Sequence, residues 1–228
     1  MKSTLSRRGA LLAASVIALS LAACGGGGGS SGGGDTPPPS TPTPPAPGSV
    51  AITVTHKVRL TTTQGVIELG LDRTHAPITV DNFLKYVNDG FYNNTVFHRV
   101  ISNFVIQGGG VARNAAGALQ EKTPTYPAIT LESQTGLSNV RGTLAMARTT
   151  LPNSATAQFF INVVDNNGTG GNTNLNYQSA ANPGYAVFGK VEVGMDVVDK
   201  IKAVSTNGDI GGNVPLADVI VTKAEVLQ

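Results

Sequence analysis

A mainly β domain, built as an antiparallel barrel or sandwich with two helices, is the fold class this sequence predicts. Three observations predict it. Short runs rich in β-branched residues or alternating in hydropathy recur eight times between residues 52 and 226. Gly and Asn punctuate these runs, as turns between antiparallel strands require. Only two stretches space their apolar residues at helical intervals.

In chain order, the predicted strands cover residues 52–60, 66–71, 95–100, 104–107, 142–147, 158–163, 185–191 and 219–226. The first helix falls between the second and third runs, where Val80, Phe83, Leu84 and Val87 sit at i, i+3, i+4 and i+7. Thr79 precedes them as a candidate N-cap, and Gly90 stands where a C′ glycine belongs. A second helix is expected over Met195–Lys202, with Met195, Val198 and Ile201 at three-residue steps. Residues 51–228 suffice for one domain with a sizeable core, and no second domain is expected.

What precedes that domain reads differently. Lys2, Arg7 and Arg8 are followed by an apolar run over 10–23, too short to span a bilayer and suited to an export signal. The run ends in Leu21-Ala22-Ala23-Cys24, which resembles a bacterial lipoprotein signal; 1–23 is then the signal peptide and Cys24, the only cysteine, the lipidated residue. Gly25 lacks the Asp that, in some bacteria, retains such proteins at the inner membrane, so the resemblance implies the outer one, with the domain on the periplasmic side. Ser6-Arg7-Arg8 is also similar to a twin-Arg export signal. Residues 24–50 form a tether, with nine Gly and seven Pro between Gly25 and Val50. Its Gly/Ser half is a flexible coil and its Pro-rich half an extended spacer of about 3.1 Å per residue.

Charge excludes one class of partner. The chain carries +2 overall, and loss of Lys2, Arg7 and Arg8 leaves 13 basic against 14 acidic residues. No basic face for nucleic acid follows from this balance. The folded part has no thiol, so an oxidising compartment neither helps nor harms it. His56, His75 and His98 are scattered, and no metal site is expected. The stretch 165–172 has the flavour of a calcium loop without its clustered carboxylates or closing Glu, and reads as a flexible surface loop.

The segment with most chemical content is Phe97-His98-Arg99-Val100-Ile101-Ser102-Asn103-Phe104-Val105-Ile106-Gln107, followed by three glycines. In an extended chain Phe97, Arg99 and Ile101 share one face and His98 and Val100 the other; after the Ser102-Asn103 break, Phe104 pairs with Ile106 and Val105 with Gln107. A fixed cation beside an aromatic and an amide suits a neutral, proline-like or peptide ligand better than a phosphate. The glycines after Gln107 lack the Gly-Lys-Ser/Thr of a phosphate loop.

These residues resemble the signature of the cyclophilin family of peptidyl-prolyl isomerases. So do Gly142-Thr143-Leu144-Ala145-Met146-Ala147, Ala157-Gln158-Phe159-Phe160-Ile161 and Val187-Phe188-Gly189-Lys190-Val191, in the family's order, over roughly residues 53–227. The resemblance implies a closed eight-stranded antiparallel β-barrel capped by two α-helices, with a packed interior and a substrate groove outside. It also implies Arg99, Phe104, Gln107 and Phe160 as catalytic residues, and Val105, Ala147, Arg148, Gln158, Leu175 and Tyr185 as substrate-binding ones.

Such chemistry makes modest demands. An X–Pro bond turns over a barrier of about 18–20 kcal/mol because rotation sacrifices amide resonance. A protein need only bind the twisted amide better than either planar form, and no cofactor is expected. Arg99 suits the task, since a guanidinium stays charged and presents a rigid fork of donors to the prolyl nitrogen. Several positions depart from the commoner family pattern: Ser102-Asn103 for Pro-Gly, Val105 for Met, Arg148 for Asn, Tyr185 for His. Asn174 stands where the family often has Trp, which implies weak cyclosporin binding.

The sequence therefore points to an isomerase that acts, as a monomer, on proline-containing polypeptides exported to the cell envelope. Two other readings stay open: a peptide-binding or chaperone module that uses the groove without turnover, and an envelope lipoprotein whose barrel is only a scaffold.

Overall fold

The computed structural model describes residues 43–207 and 213–227. The expected signal peptide, Cys24 and most of the tether lie outside the described residues.

Among the described residues, thirteen strands and two α-helices follow one another in the order β1 His56–Thr62, β2 Gly65–Leu71, α1 Pro77–Asn88, β3 Thr95–Val96, β4 Arg99–Val100, β5 Val105–Gly108, β6 Val111–Arg113, β7 Leu119–Glu121, β8 Thr143–Met146, β9 Phe159–Asn162, β10 Val187–Val193, α2 Met195–Lys202, β11 Thr206–Asn207, β12 Val214–Pro215 and β13 Ile220–Leu227. Pairing is antiparallel throughout, and eleven strands make one sheet in the order β4-β5-β9-β8-β10-β2-β1-β13-β3-β6-β7. Strand β3 pairs with β13, and β4 pairs with β5 at the far end of that order. The two are halves of the predicted 95–100 strand. That short segment therefore pairs with β5 through one half and with β13 through the other, curling the sheet into a ring of eight: 95–100, β5, β9, β8, β10, β2, β1 and β13, with β6–β7 continuing from β3. The hairpin β6–β7 and the pair β11–β12 were not foreseen; their strands are only two or three residues long, below what alternation can mark.

The barrel interior holds a single large apolar cluster. Phe83 of α1 lies within 5.0 Å of Tyr92, 5.4 Å of Phe159 and 5.2 Å of Phe188, measured between ring centres. Leu60, Ile67, Leu69, Ile106, Leu144 and Ile161 fill in from the strands, all fully buried. Helix α2 has the bounds expected, with Val198 and Ile201 buried.

Helix α1 ends as its sequence predicts and starts differently. Gly90 (φ 65) donates to the Val87 carbonyl and Phe91 to that of Tyr86, both at 3.0 Å. This is the paired-bond ending that favours glycine at C′, and the Phe91 ring closes over Tyr86 at 4.8 Å. Thr79, however, is not the N-cap. The helix begins at Pro77, with Ala76 at the cap position and no capping bond from its side chain. The Glu132 carboxylate takes that role instead, accepting from Ile78 N (3.2 Å), Thr79 N (2.8 Å) and Thr79 Oγ1 (2.7 Å). A carboxylate there also complements the helix dipole.

Candidate functional site

Register brings the site together. Across adjacent strands Arg99 lies opposite Gln107, Gln107 opposite Phe160, Phe160 opposite Ala145, and Ala145 opposite Val187. Opposed residues share a face, so this row runs along the outside of the barrel. The alternate residues Val100, Ile106, Ile161 and Leu144 go to the interior. A second, smaller apolar cluster forms outside from Val105, Leu137, Ala145, Phe160, Leu175 and Val187.

Above that cluster is a cavity of about 210 Å³. Phe104, Val105, Phe160 and Leu175 supply its apolar walls; Arg99, Gln107, Ala147, Arg148 and Tyr185 border it. Nine of the ten groove residues expected from the sequence thus meet at one place. Gln158, the tenth, lines an adjoining cavity of about 150 Å³, shared with Gln107, Ala147 and Arg148.

Two expectations about facing fail. Phe97 joins the interior cluster and so does not share a face with Arg99; Ile106 likewise points inward, away from Phe104. The reason is that neither run is one continuous strand. The chain leaves strand geometry at Phe97-His98, and β5 starts only at Val105, so alternation cannot be counted through either point.

Each polar wall is held. Arg99 Nη1 donates to Gln107 Oε1 at a long 3.4 Å, and Gln107 Nε2 donates to Gln158 Oε1 at 2.9 Å. The Arg99 guanidinium also lies 5.7 Å from the Phe104 ring centre, within cation–π range. Arg148 donates from Nε to the Gly184 carbonyl and from Nη1 to that of Thr149, both at 2.9 Å, and sits 4.6 Å from the Tyr185 ring centre. Tyr185 in turn packs edge-on against Phe160 at 5.6 Å. Gly184 approaches its neighbours so closely that a Cβ there would lie 2.4 Å from the Asn176 backbone.

Behind the apolar walls lies a buried amide network that sequence reasoning missed. Asn166 Nδ2 donates to the Phe104 carbonyl and to Asn162 Oδ1, both at 2.8 Å. Asn162 Nδ2 donates to Asn139 Oδ1 at 3.1 Å, and Asn139 Nδ2 to the Leu175 carbonyl at 3.1 Å. The chain of amides fastens Phe104 and Leu175, both in the cavity wall, to one scaffold. Asn166 is 1 % exposed, so 165–172 is not wholly the surface loop expected. Asparagine signals turns in a sequence, which hides such a role. Asn174 does not line the cavity; its Oδ1 accepts from Asn176 N at 3.0 Å.

The last residues assigned to the tether also reach the barrel. Gly48 N donates to the Gly136 carbonyl at 2.7 Å, and Val50 and Ile52 pack against the outer cluster. His98, beside Arg99, lines a further cavity of about 290 Å³, with Glu121 on its wall. Burial pushes its imidazole below the ordinary value, and Nδ1 has no partner among the described residues.

Comparison with known proteins agrees with this geometry. The family described as cyclophilin type peptidyl-prolyl cis-trans isomerase/CLD matches residues 57–226. "Peptidyl-prolyl cis-trans isomerase A" of Dickeya dadantii is 45 % identical over 80 % of this chain and 90 % of its own. "Peptidyl-prolyl cis-trans isomerase B" of Escherichia coli is 51 % identical over 67 % of this chain and 88 % of its own. Among solved structures, a Cryptosporidium parvum cyclophilin determined in the presence of the dipeptide Ala-Pro superposes with a TM-score of 0.57 at 25 % identity, covering 75 % of this chain and 99 % of that one. The chain belongs to the cyclophilin-type family. It is a peptidyl-prolyl cis-trans isomerase, whose substrates are polypeptides containing X–Pro bonds.

Proposed function

We propose that this isomerase assists the folding of exported proteins at the cell envelope, anchored by lipid on Cys24, and that Arg99 is its catalytic cation. The observation that carries the catalytic assignment is the position of Arg99 at the edge of a cavity of about 210 Å³ that Phe104, Val105, Phe160 and Leu175 wall with apolar surface. In this reading Phe104, Val105, Phe160 and Leu175 receive the ring. As the amide twists, its nitrogen lone pair leaves conjugation and becomes a hydrogen-bond acceptor. Arg99, steered by Gln107 and Phe104, donates to it. That contact exists only in the twisted state, so it lowers the barrier instead of merely tightening binding. Gln107 and Gln158 keep donors and acceptors for the substrate backbone, and Ala147 leaves room for it. Asn174 in place of an indole weakens cyclosporin binding without touching the ring pocket.

Support for the anchor comes from Leu21-Ala22-Ala23-Cys24 and the Gly/Pro tether behind it. A length of chain with so little core-forming surface is a leash, and the outer membrane, periplasmic side, is its expected attachment.

Both halves are testable in the full-length protein. Membrane fractions of expressing cells should hold the wild type, with acyl chains on Cys24 by mass spectrometry, and Cys24→Ser should release it. Wild type in the soluble fraction, or no acylation, defeats the anchor. The purified protein should accelerate cis–trans exchange of a Pro-containing tetrapeptide; Arg99→Ala retaining over half that activity defeats the mechanism.

A further inference from the structure

Six arginines lie among the described residues. Four of them are spent on carboxylates: Arg59 with Glu68, Arg73 with Asp81, Arg113 with Asp218 and Arg141 with Asp199. The two without a carboxylate partner among the described residues are Arg99 and Arg148. Both line the 210 Å³ cavity. Among the described residues, no acidic side chain borders that cavity or the 150 Å³ one beside it. Glu121 lines the 290 Å³ cavity, which shares Arg99, Gln107 and Gln158 with these two but not Arg148.

Arg99 is accounted for by the twisted amide. Arg148 is not, and its surroundings are unusual for a structural arginine. Every partner it has is neutral: two backbone carbonyls and the face of Tyr185. These hold the guanidinium in one orientation and leave its charge uncompensated. Of five N–H donors, the carbonyls take one at Nε and one at Nη1, so both protons on Nη2 have no partner among the described residues. Arg148 is also half-buried and borders both cavities, so a peptide that seats its proline in the larger one and extends into the smaller one would run past it. A fixed, partly desolvated, unpaired cation with a free pair of donors is complementary to a carboxylate.

We infer that Arg148 is a specificity-determining residue that selects X–Pro segments carrying an acidic side chain one or two residues from the proline. The inference rests on the reading that the 210 Å³ cavity seats the prolyl ring. An acidic substrate gains a charge-assisted hydrogen bond and, before contact, attraction into a site of uniform positive sign. A basic one meets two cations.

Cis–trans exchange measured by NMR tests this, because it needs no coupling protease with preferences of its own. Peptides identical except for Glu, Gln or Lys at each of the two positions on either side of an Ala-Pro unit are compared on the full-length protein. At one position or more, kcat/KM for Glu should exceed that for Gln by about fivefold at low salt, with Lys below Gln. The contrast should shrink in 0.5 M NaCl, where the Debye length falls to a few ångströms, about 3–5 Å. In Arg148→Gln the Glu/Gln ratio should drop below about two, and Arg148→Lys should restore part of it. These two fold-changes are expectations of the size that single charge-assisted contacts give. Efficient turnover of every peptide with a Glu/Gln ratio of one in the wild type overturns the specificity and leaves the isomerase reading standing. A ratio unchanged in Arg148→Gln removes the assignment to Arg148. Failure of the wild type to turn over any peptide overturns both readings together.

Discussion

The inside and the outside of this barrel are built from the same strands and do opposite work. Phe159 and Phe160 are neighbours in β9, chemically identical and both nearly inaccessible. Phe159 joins Phe83, Tyr92 and Phe97 in the interior; Phe160 lies outside against Tyr185, in the wall of the cavity. Leu144 and Ala145 on β8, and Ile106 and Gln107 on β5, divide in the same way. The interior is filled by aromatic rings packed among aliphatic side chains from the strands. The outer cluster is open on the side of the 210 Å³ cavity, where the proposed function seats the substrate. On the proposed function, packing density carries stability inside and incomplete packing carries function outside.

The comparison breaks most visibly at the phenylalanine doublet. Phe159→Ala should cost about 3–5 kcal/mol of unfolding free energy, the range for a fully buried aromatic, read as a large fall in the denaturation midpoint. Phe160→Ala should cost less stability and more activity. Equal stability losses, with activity per folded molecule unchanged in both, would erase the distinction between the two sides.

Arg99→Ala is the converse case. It should lower kcat/KM at least a hundredfold, about 2.7 kcal/mol on the barrier, while shifting stability by no more than about 0.5 kcal/mol, as for an ordinary surface change. A midpoint shift as large as that of Phe159→Ala would mean Arg99 is structural.

Asn166→Ala probes the scaffold that joins the two sides. It leaves Asn162 Oδ1 without its partner and the Phe104 carbonyl with Val163 N alone, a loss of about 1–3 kcal/mol. Because Phe104 is one of the cavity walls, KM should rise along with the loss of stability. Stability loss without any change in KM would detach the amide network from the groove. Glu132→Ala, by contrast, removes only the borrowed cap of α1. It should cost about 1 kcal/mol and leave kcat/KM unchanged.

The smallest expected effect concerns pH. Burial depresses the His98 imidazole below the usual 6.5, with Arg99 also lowering it and Glu121 acting the other way. The unfolded chain therefore takes up this proton first as pH falls. The His98 contribution to stability is complete above about pH 6.5 and is lost as pH drops toward the depressed folded-state value. The slope is at most about 1.4 kcal/mol per pH unit. Denaturation midpoints of wild type and His98→Gln should converge between pH 7 and pH 5; parallel curves would show that His98 does not titrate with folding.

Where the sequence was legible, the determining contacts were local. Helix α2 occupies the expected residues, and Gly90 ends α1, because a left-handed C′ position selects glycine within a single turn. Alternation located each strand of the ring to within a few residues, except that β1 starts four residues later than predicted. The start of α1 was not legible: Glu132 reaches it from 53 residues away, and no rule about neighbours detects a remote carboxylate. Nor was the amide network, since a buried asparagine and a turn asparagine are the same letter until the chain closes around one of them.

The sequence by itself determined the alternating runs, the order of the motifs and the residue types that would border the groove. These follow from side-chain chemistry and from spacing within a strand or a turn. Only the tertiary structure decided which phenylalanine of the doublet faces inward, that the 95–100 segment closes the ring between β13 and β5, and that, among the described residues, Arg99 and Arg148 have no carboxylate partner while the other four arginines do. Register and ion pairing are long-range. Each depends on what the folded chain brings opposite a residue, and a one-residue slip would send every side chain of a strand to the other face.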